Sequence, residues 1–276
     1  RFGSVARHPE DQRQRYQRGD NMFIRFPLAL LIIFNSLPAT AGPEQTVPQR
    51  VLFVGNSYLY YNDSLHNHVE RMAIERHPNT PGSFAFTSAT IGGVKLKHHN
   101  IDWLLAPENI GVDQPFHTVI MQGASFESLT PEDRATFLET VVRYAGKVRA
   151  HGAAPMLYMT HAYVPPHPRT DANMIETVAN TYIEAAKAAK AAIAPVGLAF
   201  ARSYQQRPDF SLHADFDGTH PNLRGTYLGA CVVYLSLYGG NLEGLNYDYF
   251  GRLPKAETRY LQKIAQETVA AFQIKM

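Results

Sequence analysis

Arg50-Val51-Leu52-Phe53-Val54-Gly55-Asn56-Ser57-Tyr58 decides the fold. Residues 51–55 are apolar or glycine and are bounded by polar residues, the pattern of a strand buried on both faces of a parallel sheet. The strand stops at Gly55-Asn56-Ser57, where the chain must turn before helical spacing begins near Asp63. A serine placed there lies at the carboxyl end of a strand, the edge at which open α/β sheets bind ligands. Ser57 is therefore a candidate nucleophile, provided that a histidine reaches it. Alone, a serine after a strand is more often a turn residue or a helix cap.

Working outward, Leu65, Val69, Met72 and Ala73 recur with helical spacing, and Asn62 or Asp63 is the expected N-cap. Residues 84–90 read as a second strand running into Ile91-Gly92-Gly93, and residues 117–122 as a third ending at Gly123-Ala124-Ser125. Thr130-Pro131-Glu132-Asp133 opens a helix with a capping hydroxyl, a first-turn proline and two acids. A fourth strand is expected over 155–160, followed by a proline-rich loop over 161–169 and an alanine-rich helix from 171 to about 193. A fifth strand is expected over 196–200. A loop over 207–217 leads to a helix opened by His220-Pro221-Asn222, and a last helix spans about 254–272. Strands alternating with helices predict βαβ units. The fold class is α/β: one three-layer α/β/α sandwich over residues 42–276, with five parallel strands at its centre.

The first 41 residues do not belong to that pattern. From Met22 the chain carries Arg25, the short apolar run 28–34 and the small-residue site Ala39-Thr40-Ala41, which together predict a secretory signal peptide. Residues 1–21, polar and arginine-rich, are read as a leader and set aside. The apolar run is shorter than the ~20 residues a membrane span needs, so no stable membrane anchor is expected after cleavage. The expected location is secreted or periplasmic. Of 26 Lys and Arg and 24 Asp and Glu, six and three fall in residues 1–41, which leaves 20 against 21. That balance gives no argument for a nucleic-acid partner. Cys231, the single cysteine, sits in an apolar run and reads as a small buried hydrophobe.

Four stretches fall at or beyond strand ends: Gly55-Asn56-Ser57, Ile91-Gly92-Gly93, Gln122-Gly123-Ala124-Ser125 and Asp217-Gly218-Thr219-His220-Pro221. In a parallel sheet those ends share one edge. Three residues with a glycine between them let Asp217 fold back onto His220, and Pro221 keeps His220 at the mouth of the next helix. A carboxylate on one ring nitrogen leaves the other free to take a proton from serine. A turn with a helix-capping histidine is the alternative. Backbone N–H groups at Gly92 or Gly93 and the Gln122 amide are candidate oxyanion donors. His66 with His68 and His98 with His99 lack a carboxylate or cysteine at metal-ligand spacing. His161, at the end of the fourth strand, is expected to line a pocket, and Tyr58, Tyr60, Tyr61 and Tyr163 lie near the same edge, where they pack in the core or meet a sugar.

Taken in order, from Arg50 to Tyr238, these blocks resemble the SGNH hydrolase superfamily, the GDSL-like lipases and esterases, and so imply a flavodoxin-like SGNH fold. The family's Gly-Asp-Ser stands here as Gly55-Asn56-Ser57, its second glycine matches Gly93, with Gly92 the alternative, and Asp-x-x-His is intact as Asp217 to His220. The continuation His220-Pro221-Asn222-x-x-Gly225 also resembles it. The third block departs: Ser125 stands where Gly-x-Asn has asparagine, and Gln122-Gly123-Ala124-Ser125 is similar to the Gln-Gly-Glu-Ser of the sialate and xylan O-acetylesterase branch. The resemblance implies Ser57 as nucleophile, His220 as base, Asp217 as its orienting partner, and an oxyanion hole of Ser57, Gly93 and Gln122, with Ser125 the alternative third donor. It implies no metal or cofactor, and a small acyl ester, acetyl on a carbohydrate above all, as substrate. A cell-envelope O-acetyltransferase with the same triad and a glycan-binding protein on a degenerate hydrolase fold are the rivals. Asn56 reads as a brace for the turn, and Asn56→Asp is expected to stay active.

Overall fold

Five strands, β1 (Arg50–Gly55), β2 (Ala85–Thr90), β3 (Thr118–Met121), β4 (Ala154–Tyr158) and β5 (Ala192–Ala194), form one sheet in the order β2-β1-β3-β4-β5. Every pairing is parallel, and Val51 lies opposite both Phe86 and Thr118. This computed structural model describes residues 47–80 and 83–275; the expected leader and signal peptide lie outside them.

The buried run of β1 divides by its two-residue period. Val51 and Phe53 face one core, together with α2 (Leu65–Arg76), α6 (Val196–Gln206), α7 (Leu223–Tyr238) and most of α8 (Lys255–Lys275). Leu52 and Val54 face the other, with α3 (Ile101–Leu105), α4 (Pro131–Ala150) and α5 (Met174–Ala189). Burial on both faces is why this strand is apolar throughout rather than alternating. The three-layer α/β/α architecture is the expected one. The chain runs from β1 outward to β2 on one side and returns to β3 on the other. That reversal opens a crevice between the carboxyl ends of β1 and β3, the usual ligand position in a doubly wound sheet.

Helix ends follow local chemistry. Thr130 caps α4 as expected, its hydroxyl accepting from the Asp133 N–H at 3.1 Å. Asn222 caps α7, its side chain accepting from the Gly225 N–H at 3.1 Å. The cap expected at Asn62 or Asp63 falls one residue later, on Ser64, which precedes α2 without a side-chain cap bond. Asn62, Asp63 and Ser64 instead take positive φ angles in a tight turn. Asn62 spends its amide on the Pro221 carbonyl and Thr226 hydroxyl, both at 2.9 Å, tying that turn to α7.

The fifth strand is displaced from its expected place. Lys190, with φ 50°, ends α5, and residues 192–194 form β5, whereas residues 196–200 begin α6. A five-residue apolar run does not distinguish a buried strand from a buried helix. The deciding contact is tertiary: the Gly197 N–H donates to the Met159 carbonyl at 3.0 Å, and a Cβ on Gly197 would stand 2.0 Å from the Thr160 oxygen. Only glycine lets α6 start this close to the chain leaving β4.

Candidate active site

Ser57 is the first residue of α1 (Ser57–Tyr60), a four-residue helix that leaves β1 directly. The turn is braced from beneath. Asn56 N–H donates to Gln122 Oε1 at 2.9 Å, and Asn56 Oδ1 accepts from the Tyr58 N–H at 3.3 Å. Asn56 Nδ2 donates to the Val94 carbonyl at 3.2 Å, joining this turn to the one that holds Gly92 and Gly93. Gly55 leaves room for the brace, since a Cβ there would lie 2.4 Å from Gln122 Oε1 and 2.7 Å from Leu59 Cδ1. Ser57 is 8% exposed.

Asp217 and His220 reach this serine from the loop before α7. Asp217 Oδ1 accepts from the backbone N–H groups of Thr219, at 3.0 Å, and His220, at 3.1 Å. Its Oδ2 accepts from His220 Nδ1. A carboxylate can only accept, so the ring proton sits on Nδ1 and the Nε2 lone pair faces outward. Nε2 receives the Ser57 hydroxyl at 2.8 Å. Partial burial works against charge on Asp217, but the bonds from the His220 ring and the two N–H groups prevail and hold its carboxyl below the ordinary value. Tyr61 stacks on the His220 ring at 4.2 Å between centroids, and Tyr58 meets it edge-on at 5.9 Å. Gly218, with φ +63°, is required where the loop folds back: a Cβ would stand 2.0 Å from the Val164 oxygen.

Behind His220 lies a stack of buried rings. His161 is sandwiched between Tyr58, at 4.4 Å, and Phe200, at 4.2 Å, and its Nε2 donates to the Thr219 carbonyl at 2.8 Å. His213 meets His161 edge-on, donates to the Ala162 carbonyl at 3.1 Å and accepts from the Tyr204 hydroxyl at 2.8 Å. Tyr58 and Thr219 share a hydroxyl–hydroxyl bond of 2.6 Å. His161 thus does not line the pocket: it is fully buried and supports the residue preceding the base.

The pocket over Ser57 has a volume of about 170 Å³ and is walled by Gly93, Ser125, Phe126, Tyr163, His167, Arg169 and His220, among others. Among the described residues the N–H groups of Ser57 and Gly93 have no acceptor, and both residues line this pocket. Gly92 stays outside the pocket lining, beneath the Tyr60 hydroxyl. Gln122 departs from its expected place. It is 1% exposed, its amide nitrogen donates to the Gly123 carbonyl, and it does not reach the pocket. The side-chain oxygen is needed under Asn56, and that geometry turns the amide nitrogen back into the protein. Gln122 is a brace here, not a third donor. Ser125 occupies the wall instead, its Oγ accepting from the Tyr163 hydroxyl at 2.8 Å and also bonded to the Tyr58 hydroxyl.

Two further groups escape sequence reasoning. Glu127 is buried, and its Oε2 accepts from the N–H groups of Ala124, at 2.6 Å, and Leu96, at 3.2 Å. It clamps the loop after β2 to the loop after β3. Burial raises its carboxyl above the ordinary value despite those two bonds. Arg169 reaches the pocket from the proline-rich loop. A carboxylate three residues beyond Ala124 and an arginine among prolines carry no sequence signal that separates them from solvent-facing charges.

The sequence matches no protein-family model and no curated protein sequence. Solved structures do match. A DUF4886 family protein from Bacteroides uniformis aligns over 80% of this chain and 94% of its own, at 17% identity and a TM-score of 0.59. A proposed SGNH hydrolase from Slackia heliotrinireducens aligns over 68% and 98%, at 21% identity and a TM-score of 0.52. An acetyl xylan esterase aligns over 68% and 99%, at 16% identity and a TM-score of 0.52. At these identities the likeness is one of fold. The chain has the SGNH-hydrolase fold: five parallel strands flanked by helices, as the four sequence blocks imply.

Proposed function

We propose that this protein is a serine esterase that cleaves a small acyl ester through Ser57, His220 and Asp217. One observation carries the reading: a continuous chain of hydrogen bonds runs from Asp217 through the His220 ring to Ser57 Oγ. It ends at a pocket where two backbone N–H groups await an acceptor. Ser57 Oγ attacks the ester carbonyl carbon as its proton passes to His220 Nε2. The carbonyl oxygen, now an anion, accepts from the N–H groups of Ser57 and Gly93 and from the Ser125 hydroxyl. His220 then gives its proton to the departing alcohol oxygen, leaving an acyl-serine. Water repeats the sequence, with His220 again as base, and frees the acid. Asp217 keeps the ring tautomer throughout and stabilises the imidazolium, to which the stacked Tyr61 face also contributes.

The modest pocket favours a short acyl group. Tyr60 and Phe216, the latter 71% exposed, stand as apolar platforms near His220 and suit a sugar ring on the alcohol side. The likeness in fold to an acetyl xylan esterase supports the same choice. The proposal includes export, which rests on residues 22–41 alone.

Turnover of p-nitrophenyl acetate by the purified chain tests it. Ser57→Ala and His220→Ala are each expected to lower kcat by about 10⁴-fold or more with unchanged circular dichroism. Retention of wild-type turnover by both variants overturns the mechanism.

A further inference from the structure

We propose that the ester carries an anionic group, a carboxylate above all, and that Arg169 holds it. This inference rests on the esterase reading and adds the substrate's charge to it. Among the described residues that wall the pocket, Arg169 carries the one permanent charge. The nearest carboxylate of the machinery, Asp217, is turned away and committed to His220. Three other arginines are ion-paired, Arg71 with Asp63, Arg202 with Glu267 and Arg224 with Glu257, whereas Arg207, like Arg169, lies against aromatic rings, but away from the pocket. The Arg169 guanidinium has no hydrogen bond or ion pair among the described residues, and its recorded contact is with the face of the Tyr163 ring, 5.5 Å from the centroid. A planar cation laid on an aromatic face keeps its N–H fork free for a second, in-plane partner.

The position is built. Arg169 sits in a turn closed by Thr170, whose N–H and hydroxyl both donate to the His167 carbonyl, at 3.2 Å and 2.7 Å. The Arg169 N–H donates to His167 Nδ1 at 3.1 Å, and the His167 ring packs on Tyr163 at 3.7 Å. Burial, and after it the Arg169 charge, lowers the His167 pKa, so this ring is neutral near pH 7. Tyr163 in turn bonds Ser125 on the wall facing the nucleophile. Cation and nucleophile therefore share one pocket of about 170 Å³ through a single chain of contacts. An anion on the same residue as the scissile ester, or on its neighbour, reaches both.

Two pairs of esters test this and locate the anion. Mono-p-nitrophenyl succinate against p-nitrophenyl acetate places the charge on the acyl half. A monoacetyl ester of glucuronic acid against that of methyl glucoside places it on the alcohol half. The wild type is expected to show a higher kcat/KM on the anionic member of one pair. Arg169→Ala is expected to reduce that preference about tenfold, and Arg169→Lys to restore part of it. Added salt should weaken the preference in the wild type and leave Arg169→Ala indifferent. An equal preference in wild type and Arg169→Ala, or a wild-type preference for the neutral member of both pairs, overturns the inference alone. No turnover on any of the four esters overturns the esterase reading, and this inference with it.

Discussion

The two loops that carry Ser57 and His220 are held in place by different means. The nucleophile's turn hangs from the sheet. β1 delivers it, the Gln122 side chain supports Asn56 from β3, and the buried His99 ring bonds the Gly55 backbone. The base's loop has no strand beneath it. It rests on His161 under Thr219 and on Val164 donating to the Gly218 carbonyl at 2.9 Å. Asn222 adds bonds to the carbonyls of Ser211, at 3.0 Å, and His213, at 3.1 Å. Two of the supporting side chains, His161 and His213, are buried imidazoles that must stay neutral to fit. One half of the site thus hangs chiefly from the sheet, and the other from loop bonds that include two stacked imidazoles whose charge depends on pH.

Acid should separate the halves most strongly. Burial, only partly offset by the bond to the Ala162 carbonyl, lowers the His213 pKa to about 4. An unfolded histidine titrates near 6.5, so the unfolded chain binds the proton first. The full stability is present above pH 6.5. It is lost as pH falls from there towards 4, by about 3 kcal/mol for His213 alone. His161, held further down by burial and by the neighbouring His213, adds loss in the same direction. Urea unfolding at pH 7, 5.5 and 4 measures the slope. His213→Gln, which keeps a donor for the Ala162 carbonyl without titrating, should flatten it. Equal slopes in variant and wild type would show that the ring stack does not carry the acid response.

The sheet-borne half should instead answer to volume. Gly55→Ala puts a methyl group against Gln122 Oε1 and Leu59, both within 2.7 Å. Overpacking of this kind costs roughly 1–3 kcal/mol. The loss should be the same at pH 7 and pH 5.5, and esterase activity should fall with it because Gln122 can no longer support Asn56. A urea midpoint equal to wild type would mean that the turn tolerates movement which its bonding argues against.

What was legible in the sequence divides along the same line. The strand, the nucleophile and the Asp217-x-x-His220 pair carry local signals: a continuous apolar run, a turn after it, and a three-residue spacing closed by proline. The order of the blocks along the chain was enough to place them on one sheet edge. The misreadings fall where tertiary contacts decide. The run 196–200 is helical because Gly197 docks on the Thr160 backbone, a contact invisible from either segment alone. Gln122 turns away from the pocket because Asn56 claims its oxygen. Arg169, Glu127 and the His161 stack owe their positions to loops, whose conformation the sequence pattern does not encode.

Asn56 joins the two kinds of reading and gives the smallest expected effect. The family resemblance has an aspartate at this position, which implies that Asn56→Asp stays active. The structure adds a cost. A carboxylate could still accept from the Tyr58 N–H, and more strongly than the amide does. It could not donate to Val94, however, and would set a buried charge, at a site 4% exposed, against that carbonyl oxygen. The bond at stake joins the nucleophile's turn to the turn that presents the Gly93 N–H. Losing it should loosen the oxyanion donor rather than the fold, lowering kcat about tenfold with KM nearly unchanged. Steady-state kinetics on p-nitrophenyl acetate, beside the urea midpoint, reads both quantities. Wild-type kcat in Asn56→Asp would show that Gly93 is positioned without the Val94 tie. An equal fall in midpoint and rate would make Asn56 a support for the turn alone.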